Sequence, residues 1–380
     1  MSIAGQILGW LYRDEKQALT RMRENDRLRR ELNRRAWNRF SKAVVSTSAE
    51  REVEVVRIET ETDDTCSLRL RLHSGEAFNA RPGQFLTCCF NIDGETVRRA
   101  YSISSLPDPR QVRITIKQIP EGRVSGWTQK HLKAGDRFTV LGPSGDFTQR
   151  PDTQQAVFIA AGVGITPIRP LIEAHLAASD EAEATLIYAC RSAKQLIFRV
   201  ELEALARRFP NLKIHWVLSR PGPSWQGLKG RLDADRLLQL AHEHGRADAY
   251  YLCGPDAFID MGREALASAG VRERCIHTER FLPAAQAAQA HPTTPQSIYF
   301  RRSKMRVEAQ PGQSILEAGL EAGVPLDYSC QVGGCAHCRV KVAEGTVISD
   351  EPNSLSPEEF EQGYRLACLS YACSATEVEA

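Results

Sequence analysis

The chain has 380 residues, 42% of them hydrophobic and 25% charged, with 49 Lys and Arg against 47 Asp and Glu for a formal net charge of +2. That length exceeds what one hydrophobic core usually serves, the ordinary composition excludes wholesale disorder, and the balanced charge excludes the whole-molecule basic field of a nucleic-acid binder. Eleven cysteines without a secretion signal point to metal or redox chemistry, and no run approaches the roughly 18 apolar residues that span a bilayer, so the expected location is cytoplasmic.

Residues 1–47 form the first unit, a basic helical extension. Up to residue 45 it holds eleven Lys and Arg against five Asp and Glu, with Ile3, Ile7, Leu11, Leu19, Met22, Leu32 and Phe40 at near-helical intervals. Such a helix either contacts a membrane surface or a partner, or packs on the protein's own body. From 48 to 150 the text becomes short β-rich runs, REVEVVRIE, CSLRLRL, QFLTCCFNI and QVRITIKQI, punctuated by Pro-Gly and Asp-Gly turn signals, which predicts an antiparallel β-barrel. From 151 to 283 the apolar runs AVFIAAG, ATLIYAC, KIHWVLS and AYYLCG alternate with helical stretches, the pattern of an α/β parallel sheet with crossover helices. A Pro- and Ala-rich linker at 284–297 then leads to a fourth unit, 298–380, an α+β module with SIYFRR, KMRVEA and a helical SILEAGLEAG.

The densest chemistry is in that last unit. Cys330, Cys335, Cys338 and Cys368 follow C-x4-C-x2-C-x29-C, a plant-type [2Fe-2S] spacing. Gly333 and Gly334 between them leave the backbone free to wrap a cluster and aim amides at its sulfurs. A structural zinc site would normally draw its ligands from two close pairs, and buried unliganded cysteines are the remaining alternative. Cys373 competes for the fourth place; Arg365-Leu366-Ala367-Cys368 resembles a form that plant-type [2Fe-2S] ferredoxins share, and that resemblance implies Cys368.

On these residues 298–380 resembles a plant-type [2Fe-2S] ferredoxin of β-grasp-like fold, and 48–283 resembles a ferredoxin-NADP reductase. The resemblance implies that Arg99-Ala100-Tyr101-Ser102 is the flavin strand, with Tyr101 stacked on the isoalloxazine, Arg99 on the diphosphate and Ser102 near N5. It makes Gly122-Arg123-Val124-Ser125 the phosphate loop, through Gly122, Val124 and Ser125, and this favours FAD over FMN. Gly162-Val163-Gly164-Ile165-Thr166-Pro167 sits between an apolar run and a helical one, so Gly162, Gly164, Thr166 and Pro167 would cradle a dinucleotide phosphate. Cys253-Gly254-Pro255 resembles the family's Cys-Gly-Pro motif, which places Cys253 beside the nicotinamide as a positioning group, with Gly254 and Pro255 lining the site. Glu279-Arg280-Phe281 resembles the segment that reaches back to the flavin, giving Glu279 a proton or nicotinamide contact and Phe281 a flavin contact. Ser219-Arg220, helped by Arg191 and Ser192, resembles the 2′-phosphate grip of NADP-selective relatives, so NADPH is favoured over NADH.

The expected function is a multidomain reductase moving electrons from NAD(P)H to FAD, then singly through [2Fe-2S] to a redox partner protein. The partner is an oxygenase, desaturase or hydroxylase; the basic extension favours a membrane-bound diiron one. The alternatives are a reductase of a hybrid-cluster protein or of a small molecule directly, and a non-catalytic flavin redox sensor. None of the nine histidines pairs at catalytic spacing, and no nucleic-acid partner is expected.

Overall fold

A computed structural model describes residues 50–380 apart from 107, 109, 121, 244, 282–289, 352 and 356. The expected basic helix at 1–47 lies outside the described residues, as do residues 284–289 of the expected linker, whose last two residues belong to a strand.

The first sheet has six antiparallel strands, β1 (Arg51–Thr62), β2 (Thr65–Leu72), β3 (Phe85–Ile92), β4 (Glu95–Ser102), β5 (Val112–Lys117) and β6 (Arg137–Ser144), in the order β4-β3-β6-β1-β2-β5. Its two outer strands meet through an antiparallel bridge between Ile103 and Ile114, which closes the sheet into a barrel. Alternating apolar residues explain the closure, because Leu68, Leu70, Leu72, Ile114, Ile116, Val53 and Val55 all point into one core. Helix α1 (Arg123–His131) packs beside it, burying Val124 and Thr128.

The second sheet is parallel, in the order β10-β9-β8-β7-β11-β12. Its strands are β7 (Gln155–Ala161), β8 (Glu183–Cys190), β9 (Leu212–Leu218), β10 (Leu228–Lys229), β11 (Ala249–Gly254) and β12 (Ile276–Arg280). Helices α2 (Ile165–Ala178), α3 (Arg199–Arg208), α4 (Ala234–Ala241) and α5 (Asp256–Ser268) cover it. Successive residues of β7 serve opposite cores, Phe158 and Ala160 with α2 and α3 on one side, Val157 and Ile159 with α4 and α5 on the other. That is why this strand is apolar along its buried length. Strand order reverses between β7 and β11, so the ligand crevice of such a sheet falls at the carboxyl ends of those two strands.

The third unit has the sheet β14-β13-β19-β15-β17 and a two-stranded β16-β18, formed by β13 (Gln296–Phe300), β14 (Met305–Ala309), β15 (Arg339–Glu344), β16 (Val347–Ser349), β17 (Tyr364–Leu366), β18 (Ser370–Ala372) and β19 (Thr376–Glu379). Helix α6 (Ile315–Glu321) lies across it and buries Ile315 and Leu316 with Phe300, Val340 and Val378. A reciprocal capping box starts α6: the Glu317 amide donates to Ser314 Oγ at 3.2 Å, and the Ser314 amide donates to Glu317 Oε2 at 3.0 Å. A last helix, α7 (Pro357–Glu361), precedes β17.

Barrel and parallel sheet are joined by one buried ion pair. Arg113 of β5, only 1% exposed, donates to Glu201 of α3 at 2.6 and 3.1 Å, donates to the Ser104 carbonyl at 2.8 Å and stacks over Phe198 at 4.3 Å. Barrel and third unit meet at the Ser144 and Ser329 hydroxyls.

Candidate active site

All three units contribute to one cleft of about 480 Å3. The barrel supplies Arg98, Arg99 and Ser102 from β4 and Arg123 from α1; the parallel sheet supplies Glu279 and Arg280 from the end of β12, with Phe281 directly after it; the third unit supplies Gln331, Gly334, Cys368 and Tyr371. Three guanidinium groups on one wall suit a diphosphate, and the exposed Phe281 ring gives an apolar face. Arg99 donates to the Arg98 carbonyl at 2.6 Å, and Arg123 is held by Glu95 at 2.7 Å. Tyr101 is half-buried and packs toward the barrel core, standing outside the residues that line the cleft. Burial pushes its phenol up, so it stays a neutral ring. Gly122 caps α1, and Ser125 Oγ accepts from the Ile119 amide at 3.3 Å, which folds the loop toward the helix N-terminus. Val124 and Ser125 are buried, and this loop reaches the cleft through Arg123 alone.

Glu279 lines the cleft within electrostatic reach of Cys330. Burial, then Asp146 and Cys330, push its carboxyl up to about 8. It is level with Cys253 in the register between β12 and β11. Cys253 is fully buried, and burial, then Glu279, push its thiol well above the usual range. A neutral, inaccessible thiol is suited to packing and positioning and unsuited to nucleophilic attack.

The glycine turn and the Cys-Gly-Pro strand end are brought into contact. A Cβ on Gly164 would overlap the Cys253 carbonyl and stand 2.8 Å from the Gly254 nitrogen. Gly162 has φ +54° with nothing within 4 Å of an added Cβ, so that side of the turn is open. Thr166 and Pro167 are buried in the first turn of α2, with Thr166 Oγ1 donating to the Val163 carbonyl at 2.9 Å; Pro255 caps α5. Amides at a helix start facing an open space are suited to a phosphate. The ends of β8 and β9 are tied together, the Arg220 amide donating to the Arg191 carbonyl at 2.7 Å. This sets Arg191, Ser192, Ser219 and Arg220 side by side, with both arginines exposed.

The four cysteines form two pairs, Cys330 with Cys335 and Cys338 with Cys368, each in side-chain contact. Among the described residues no three His, Cys, Asp or Glu gather around one ion-sized point. Two pairs fit two irons with two thiolates each, whereas a single zinc needs all four at one centre. The amides of Gly334 and Val332 point at Cys330 Sγ at 3.3 and 3.5 Å, and the Cys330 amide points at Cys335 Sγ at 3.4 Å. The Cys335 thiol and then the Val332 and Gly334 amides hold Cys330 below the usual thiol range, against burial that would raise it. Cys373 turns away, its thiol donating to the Tyr371 carbonyl at 3.8 Å.

Arg98, Arg123, Gln331 and Tyr371 escaped the sequence reading as site residues. Arg123 lies inside one motif already singled out and Arg98 directly before another, so their charge was a usable signal; Tyr371 had none, because its place follows from the pairing of β18 with β16.

Comparison with known proteins agrees unit by unit. Residues 52–149 match an oxidoreductase FAD-binding domain, 158–264 an oxidoreductase NAD-binding domain and 298–373 a 2Fe-2S iron-sulfur cluster binding domain. The chain is 32% identical over 329 residues to a component of the 1,2-phenylacetyl-CoA epoxidase of Escherichia coli, covering 83% of this chain and 92% of that one. It is 30% identical over 338 residues to the glycine betaine monooxygenase reductase component of Pseudomonas aeruginosa, covering 84% and 92%. The solved structure of phthalate dioxygenase reductase shares the fold at 24% identity and TM-score 0.62, over 87% of this chain and 98% of that one.

Proposed function

Because the chain belongs to the ferredoxin-reductase-type oxidoreductases that join FAD-binding, NAD-binding and 2Fe-2S domains, we propose that the three-walled cleft is where electrons cross from its nucleotide side to its iron-sulfur side. The enzyme moves electrons from NAD(P)H through FAD and [2Fe-2S] to an oxygenase-type partner. When bound, FAD takes two electrons from the reduced nicotinamide and yields them singly to the cluster. The protein's own part is placement. Arg98, Arg99 and Arg123 would hold the flavin diphosphate, Ser102, Tyr101 and Phe281 would bracket its ring, and Glu279 would hold a proton beside it. Gly162, Gly164 and Thr166 would receive the dinucleotide's diphosphate, with Cys253, Gly254 and Pro255 shaping the nicotinamide end. Cys330, Cys335, Cys338 and Cys368 would bind the two irons. The observation that carries this reading is that Cys368 and Arg99 line one cleft.

Two finer points belong to the same proposal. Arg220, Ser219, Arg191 and Ser192 would grip a 2′-phosphate and make NADPH the preferred donor, so Arg220→Ala should raise the KM for NADPH about tenfold, the scale of one charged hydrogen-bonded contact, and leave that for NADH unchanged. A membrane-bound partner, met through residues 1–45, is supported by that segment's charge and spacing alone. Loss of neither vesicle binding nor coupled activity on deleting 1–45 would remove that point.

The main test is anaerobic. Flavin absorbance bleached by NAD(P)H together with a rhombic low-temperature EPR signal supports the path; iron without flavin, or flavin that neither nucleotide reduces, overturns it.

A further inference from the structure

Tyr188 of β8 stands directly behind the glycine turn. Its ring is fully buried between the parallel sheet and the helices on one side. Its hydroxyl donates to the Gly162 carbonyl at 3.0 Å and accepts from the Ile197 amide at 3.2 Å. Both bonds go to segments with unusual backbones: Gly162 itself has φ +54°, and Phe198, next to Ile197, has φ +59°. Phe198 is also the ring beneath the Arg113 guanidinium, and Glu201, three residues on, is that guanidinium's carboxylate partner. One phenol therefore ties the turn at the end of β7 to the segment that joins α3 to the barrel.

We infer that Tyr188 is a positioning residue for the dinucleotide, holding the Gly162–Gly164 turn in its receiving conformation from behind and locking that turn to the joint between barrel and parallel sheet. The physical case rests on what each side of the turn faces. The front at Gly162 is open and Gly164 is pressed on Cys253 and Gly254, while the Gly162 carbonyl accepts from the Ile165 amide inside the turn and from the Tyr188 hydroxyl outside it. The Ile165 bond is local and moves with the turn, so the phenol is the donor that ties this carbonyl to the sheet, and a left-handed turn has competing conformations of similar energy. Burial pushes the phenol of Tyr188 up, so the donor is present throughout the working pH range. Because the same oxygen accepts from Ile197, a shift of the turn is felt at Phe198, and a shift of the joint is felt at the turn. The nucleotide's diphosphate and the flavin-bearing barrel are thereby referenced to one side chain.

This inference rests on the reading of Gly162–Gly164 as a dinucleotide site. The test uses the full-length holoenzyme, with ADP as a probe that carries the diphosphate and no nicotinamide. Tyr188→Phe keeps the ring and removes the hydroxyl. With FAD content and melting midpoint retained, it should raise both the KM for NAD(P)H and the calorimetric Kd for ADP about five- to tenfold, while kcat with ferricyanide stays within about twofold. A folded, FAD-loaded Tyr188→Phe chain with unchanged ADP affinity overturns the inference. So does one that fails to fold or to retain FAD, since the hydroxyl would then serve the fold at large. Gly162→Asp separates the two levels, because Asp tolerates a left-handed turn and its charge repels a diphosphate. If Gly162→Asp weakens ADP and Tyr188→Phe does not, only the inference fails; if neither does, the dinucleotide reading fails with it.

Discussion

The Arg113–Glu201 joint gives unequal costs according to which partner is removed. Arg113 is 1% exposed, while the Glu201 side chain is 36% exposed and also receives Arg169 Nε at 3.1 Å. Glu201→Ala leaves a sealed guanidinium with the Ser104 carbonyl at 2.8 Å and the more distant Glu61 at 3.8 Å. Losing one partner of a fully buried pair costs about 3–5 kcal/mol, and water at the Glu201 end places this case near the lower bound, about 3 kcal/mol. Arg113→Met fills most of the space with an apolar side chain, and Glu201 keeps Arg169 and turns to solvent, so that cost should be about 1 kcal/mol. The gap of about 2 kcal/mol is roughly thirtyfold in the unfolding equilibrium and is read as separate urea midpoints of the FAD-loaded protein by flavin fluorescence. Equal costs, or Arg113→Met the worse, would refute the reasoning from burial. The pH dependence has a definite sign. Burial alone would raise the Glu201 carboxyl, but the Arg113 hydrogen bonds and the charges of Arg113, Arg169 and Arg69 bring it below its ordinary value. The pair's contribution is then present above the unfolded carboxylate range and is lost as pH falls through the lower folded value.

Other outcomes are equally direct. Cys368→Ser should abolish the rhombic EPR signal or shift its g-values, while Cys373→Ser leaves signal and iron content unchanged; the reverse would make Cys373 the fourth ligand. Gly164→Ala should cost at least about 1–3 kcal/mol by melting, because its Cβ overlaps the Cys253 carbonyl and must push two strand ends apart; a variant as stable as the parent would show that the contact is slack. For Glu279, whose carboxyl burial pushes up to about 8, the folded state binds the proton more tightly than the unfolded one. Stability is then lost as pH rises from the ordinary carboxylate range to about 8. Glu279→Gln should gain on the parent in melting temperature between pH 5 and 8 and keep a constant lead above it, and parallel melting curves across that range would show that the carboxyl is unperturbed.

The sequence disclosed what is local. Alternation in CSLRLRL and unbroken apolar runs such as AVFIAAG specified strands of different burial, and the four cysteines carried their spacing in plain sight. What it concealed is long-range. Arg113 looks like one more outward residue of QVRITIKQI, and nothing at position 113 announces a carboxylate 88 residues away. Gly164 and Cys253 were each visible as motif members, yet their contact depends on β7 and β11 lying side by side. Tyr101 stands between the two: its motif is local and visible, and its half-buried packing against the barrel is decided by the strands around it.

The shared wall of the cleft has a consequence for leakage. Reduced flavins give electrons to dissolved oxygen wherever they are reached by it, and a groove made by the barrel alone would be open along one side. Here Gln331, Gly334, Leu369 and Tyr371 form that side, so with the flavin placed as proposed the unit that conducts charge outward would also insulate it. A chain cut before residue 290 would lose both properties together, and its defect would be measured as peroxide per nucleotide consumed.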